Sequence, residues 1–169
     1  RFVDVALTDD GVYSLLDSTH GKIFTYDQEG NLMYVFGGSG TQMGVFQRPS
    51  AIAYKGTDLL VLDSSTGELT ILSRTDYGDV FAEALHLQGN RRYTEAAEKW
   101  KELIKLNGNY EQAYNNIGTS YMRLGMYEEA MVNYKNGNDL DGYKDAYNAY
   151  RKTIMEKNII WILLAVAVA

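Results

Sequence analysis

The chain has 169 residues, a formal charge of −6, no cysteine and a single proline. Without cysteine there is no disulfide scaffold, zinc–thiolate site, iron–sulfur site or thiol nucleophile. An apolar fraction of 46% against 22% charged is globular composition, and an acidic balance argues against a nucleic-acid partner.

Residues 1–78 read as strands. Apolar runs such as Tyr13–Leu16, Ile23–Tyr26 and Leu32–Phe36 are separated by the turn clusters Asp9-Asp10-Gly11, Thr19-His20-Gly21 and Gln28-Glu29-Gly30-Asn31. Asp17-Ser18-Thr19-His20-Gly21-Lys22-Ile23 aligns with Asp63-Ser64-Ser65-Thr66-Gly67-Glu68-Leu69 at an offset of 46. A period of about 40–50 residues points to propeller-like units, and closure of a propeller takes about 4–8 of them.

The segment from Phe36 to Ala53 carries Gly37, Gly38 and Gly40, then Phe46-Gln47-Arg48-Pro49. It resembles the junction between NHL repeats. The resemblance implies about two blades of a partial β-propeller over 1–78. Gly37, Gly38 and Gly40 would supply left-handed backbone at the crossover. Pro49 would open an innermost strand where no ladder bond is lost.

Residues 79–158 read as helices. A second period, of 34, aligns Tyr93-Thr94-Glu95-Ala96 with Tyr127-Glu128-Glu129-Ala130, and Gly89 matches Gly125 if two extra residues are allowed in the first turn. Tyr114, Ile117, Gly118, Tyr121, Gly125, Tyr127, Ala130 and Tyr134 fall where the tetratricopeptide pattern wants its large, small and aromatic residues. The stretch 79–141 therefore resembles tetratricopeptide repeats. A capping helix is expected over 142–158, with Tyr143, Tyr147, Tyr150 and Ile154 on one face.

Residues 159–169 are apolar throughout, with Trp161 near the start. As a helix they reach about 16 Å, half of a bilayer core of about 30 Å. The chain begins with Arg1 and stops inside this run, so it is expected to be a piece of a longer protein whose transmembrane helix begins at 159. The order of modules is similar to that of bacterial membrane proteins. The expected fold class is thus mixed β and α modules: a partial NHL propeller, a tetratricopeptide-like array and the start of a membrane helix. Arg151, Lys152 and Lys157 before the run favour a cytoplasmic flank. The composition of the strand half and the kinship with exported propellers favour the extracytoplasmic side, which is the expected location.

Chemistry is sparse. Asp17 and Asp63 hold equivalent places at strand ends and suit Asx-type turn capping better than catalysis. His20 and His86 form no metal-binding pair. The glycine cluster lacks the Lys-Ser or Lys-Thr of a phosphate loop, and no serine sits in a nucleophile elbow. No catalytic residue, metal or cofactor is expected. In the helical resemblance, Gln112, Asn115, Thr119 and Met122 should face a groove for a peptide or protein partner. The propeller surface and the membrane helix are the other expected contact surfaces. The functional expectation is a membrane-anchored binding or scaffolding protein. The alternative is a lactonase-like propeller hydrolase or lyase with its catalytic residues in further blades.

Overall fold

A computed structural model describes the backbone of residues 1–168 and the side chains of residues 1–159. Two compact units result, Arg1–Thr75 and the chain from Asp76 on.

The first unit holds two antiparallel sheets. β1 (Phe2–Leu7), β2 (Tyr13–Asp17), β3 (Lys22–Tyr26) and β4 (Leu32–Gly37) form one, in sequential order. β5 (Pro49–Lys55), β6 (Asp58–Asp63) and β7 (Leu69–Leu72) form the other. Sequential antiparallel order follows from short turns with glycine at left-handed positions, Gly11, Gly21, Gly30 and Gly67 among them. The sheets share one core of Ala6, Leu16, Ile23, Phe46, Ile52, Leu59 and Val61. A buried hydroxyl network supports it: Ser14 Oγ lies 2.7 Å from both Thr25 Oγ1 and Tyr54 Oη. Pro49 begins β5, an edge strand, where a missing N–H costs the ladder little.

The second unit is helical: α1 (Asp76–Gly89), α2 (Tyr93–Leu106), α3 (Glu111–Arg123), α4 (Tyr127–Asn136) and α5 (Leu140–Val168). Each helix packs on the next, as the short connections require. Buried positions recur at helical spacing: Val80, Phe81, Ala84 and Leu87 on α1, then Ala96, Ala97, Trp100 and Leu103 on α2. Acidic residues open every helix, which suits the positive end of the helix dipole.

Several expectations are corrected. The architecture is a mixed α/β one, two small antiparallel sheets of four and three strands followed by five helices. It contains no closed propeller among the described residues, because closure takes about 4–8 sheets and two are present. The helices form a serial stack of five, not an established tetratricopeptide array. The expected transmembrane start at 159–169 falls, from residue 160 on, outside the residues whose side chains are described. Among the described residues no helix is long and apolar enough to cross a membrane. The physical reason is the charge along α5, where Asp141, Lys144, Asp145, Arg151, Lys152, Glu156 and Lys157 precede Asn158. Membrane anchoring is therefore not supported, and neither is the extracytoplasmic location expected of a membrane-anchored propeller. No helix breaker separates 158 from 159, so the expected cap and the apolar run belong to one continuous α5. The units divide at Thr75/Asp76 because α1 starts at Asp76.

The glycine-rich crossover also differs in detail. Only Gly37 of Gly37, Gly38 and Gly40 is left-handed, at φ 80°. Gly38 and Gly40 instead sit close to Val45: an added Cβ would come within 3.4 Å and 3.1 Å of its side chain.

Candidate functional site

The row Gln112, Asn115, Thr119 and Met122 runs along α3 at i, i+3, i+7 and i+10, which is one helix face. All four residues are half-buried. The structure brings this row against α4 and the start of α5. Thr119 Oγ1 lies 3.2 Å from Tyr134 Oη. Met122 packs on the Ala130, Tyr134 and Ala146 cluster, beside Tyr121. Asn115 lies against Gly137, where an added Cβ would overlap its amide. The Asn115 Oδ1 atom is buried and has no hydrogen-bond partner among the described residues.

On the neighbouring face of α3, Ala113, Asn116, Ile117 and Ser120 are buried. Here a polar chain crosses three helices. Trp100 Nε1 donates to Gln88 Oε1 at 2.7 Å, and Gln88 Nε2 donates to Asn116 Oδ1 at 3.3 Å. Trp100 stands 34 residues before Tyr134, the spacing of the helical period, whereas sequence reading assigns no role to Gln88 or Asn116. Their only signal is an amide at a core-facing helical position. Ser120 Oγ, one turn on from Asn116, is buried without a partner among the described residues.

The remaining singled-out residues serve turns and packing. Ala96 and Ala130 are fully buried helix contacts. Tyr93 and Tyr127 open α2 and α4 half-buried, and Tyr121 carries the Lys101 ammonium 5.5 Å from its ring centre. Gly125 is left-handed at φ 74°, directly after Leu124 ends α3. Gly89 has no such role: it is the last residue of α1, and the left-handed position falls on Arg91 at φ 60°.

Asp17 and Asp63 hold their turns in parallel ways. Asp17 Oδ1 accepts from the Thr19 N–H at 2.9 Å, and Asp63 Oδ1 accepts from the Ser65 N–H and hydroxyl at 2.9 and 2.7 Å. Asp63 Oδ2 takes the N–H groups of Gln47 and Arg48 at 2.7 and 2.9 Å, which ties the β6–β7 turn to the entry of β5. The terminal ammonium of Arg1 and then His20 hold Asp17 well below the usual carboxylate range. At Asp63 burial favours the neutral acid, but the Ser65 hydroxyl and three backbone N–H groups outweigh it and again depress the carboxyl. Both oxygens of Asp63 are engaged, by three backbone N–H groups and the Ser65 hydroxyl, which is the pattern of a structural cap. His20 pairs with Asp17, and His86 faces Asn90. Among the described residues no group of three or more His, Asp or Glu could hold a metal ion.

No protein-family model matches the chain, and no curated protein matches it. The resemblances to NHL and tetratricopeptide repeats thus find no support beyond the quoted residues, and they are set aside together with the architecture they implied.

Proposed function

We propose that the chain is a protein-interaction module, and that its helical unit takes an extended peptide segment along the α3 row. The observation that carries this reading is the uncharged row itself: Gln112, Asn115, Thr119 and Met122 share one face of α3 and stay half-buried rather than sealed against α4 and α5. The flanking groups suit the same ligand. Gln112 supplies a second amide, Thr119 a hydroxyl, and Met122 an adaptable apolar contact. The row holds no charge, so neither a terminal carboxylate nor a basic side chain is the feature recognised. Scaffolding between partners is consistent with this mode of binding.

The test is selection of a random peptide display library on the full chain, with affinities of the enriched peptides measured by calorimetry. Gln112→Ala with Asn115→Ala should weaken binding by about tenfold or more. The melting temperature should stay within about 2 °C. Met122→Ala is a poor probe, because Met122 supports the Tyr134 cluster. Failure to enrich any peptide, or unchanged affinity in the double variant, would overturn the proposal.

A further inference from the structure

The two sheets have the same pairing but different surroundings. Leu62 stands opposite Leu69 as Leu16 stands opposite Ile23, and Leu60 opposite Ile71 as Ser14 opposite Thr25. Ser14, Leu16, Ile23 and Thr25 are completely buried, whereas Leu62, Leu69 and Ile71 are 40%, 58% and 61% exposed. The opposite faces show the reverse. In the second sheet Ile52 pairs with Val61, and both are buried, at 6% and 0% exposure. In the first sheet the corresponding row runs Val5, Leu15, Phe24, Val35 across four strands. Its ends, Val5 and Val35, are 47% and 41% exposed.

The cause is the way the sheets stack. One face of the first sheet, bearing Ala6, Leu16 and Ile23, is buried on the other kind of face of the second, bearing Ile52, Leu59 and Val61. Unlike faces meet, so the contact is head-to-tail. It leaves one face of each kind uncovered. The open face of the second sheet carries Ala51, Ala53, Leu60, Leu62, Leu69 and Ile71, with Lys55 paired to Asp58 at its hairpin end. Apolar surface of this continuity marks a contact site.

We infer that this unit self-associates, with the Leu62–Leu69–Ile71 face of one copy packing on the Val5–Leu15–Phe24–Val35 face of the next. The occupant is a second copy of this chain, because the chain already seats these two kinds of face on each other. The contact is heterologous, so it extends to a closed ring or an open filament. The strand half carries five basic and ten acidic residues over 1–78, so copies repel at low ionic strength. Added salt screens that repulsion and strengthens the apolar contact.

The experiment is sedimentation velocity of the full chain up to about 0.1 mM, a range that detects contacts of micromolar strength. Wild type should form dimers and larger species, increasingly with salt. Ile71→Lys blocks one face and Val5→Lys the other. Each variant alone should remain monomeric, since every copy then lacks the same face. An equimolar mixture should form a one-to-one heterodimer and nothing larger, because each partner retains one complementary face. Circular dichroism checks the fold, and Ile71→Thr with Val5→Thr replace the lysine variants if either lysine unfolds the sheet. A monomeric wild type, assembly that survives both single variants, or a mixture without heterodimer would each overturn the inference. Strand-edge pairing or association through another segment would give the second of these results.

Discussion

Tyr134 is held between two glycines. An added Cβ at Gly118 would lie 2.9 Å from its ring, and one at Gly142 would lie 2.6 Å from it. Both fall below any ordinary carbon contact, and the ring is itself buried between α3 and α5. Burial also raises the Tyr134 phenol above its ordinary value, so it stays neutral and bonded to Thr119. Gly118→Ala should destabilise the chain by about 1–3 kcal/mol, measured by urea denaturation. An unchanged midpoint would show that the ring can move aside. Asp63 gives a pH signature at the same scale. Its carboxyl is depressed in the fold from an ordinary 3.8, so its stabilising contribution is complete above that value. The contribution is lost as pH falls through the folded value. Wild type and Asp63→Asn should therefore differ most in stability near neutral pH and converge as pH drops from about 5 towards 2. A constant gap across that range would mean that the carboxylate charge is not what the turn uses.

At the scale of elements, the α1–α2 and α3–α4 turns contrast. After α3 the left-handed position falls on Gly125, at no steric cost. Between α1 and α2 it falls on Arg91, the middle residue of a turn of the same three-residue length, because Gly89 remains inside the helix. A residue with a Cβ in this conformation costs about 1–2 kcal/mol. Arg91→Gly should relieve part of that, net of the greater freedom of glycine in the unfolded chain, and raise stability by about 0.5–1 kcal/mol. Thermal denaturation checks it, and a lower melting temperature would show that Arg91 has compensating contacts. The helix starts lack side-chain caps at Arg92, Tyr110 and Met126, so packing and the acidic first turns set where α2, α3 and α4 begin.

At the scale of the molecule, the strand half and the helical half bring different interaction chemistry. The helical half has a half-buried, uncharged polar row, the surface proposed for a peptide segment. The strand half has two apolar sheet faces of unlike kind, suited to another sheet. One proposed contact is polar and the other apolar. Low salt should thus weaken assembly while leaving peptide capture by the uncharged row much less affected.

The sequence by itself determined the alternation of strands and turns to about residue 75, the switch to helices, the turn-capping aspartates and the close-packing glycine at 118. Each rests on local chemistry: period, turn residues, short side-chain hydrogen bonds, and a small residue among aromatics. It did not determine how the elements assemble. The 46- and 34-residue spacings suggested a propeller and a repeat array, but only the tertiary structure decides how many sheets stack and which faces they bury. Charges spread along α5 could not be weighed against its apolar end until helix continuity was known. The groove row was placed on one face of α3 by spacing alone. That Thr119 and Met122 are already engaged with Tyr134, while Asn115 Oδ1 is left without a donor, depends on contacts between separate helices. The unlike burial of Ile23 and Leu69, two matching apolar residues in matching strands, has the same reason: burial is a property of what lies opposite, which a strand's own residues do not encode.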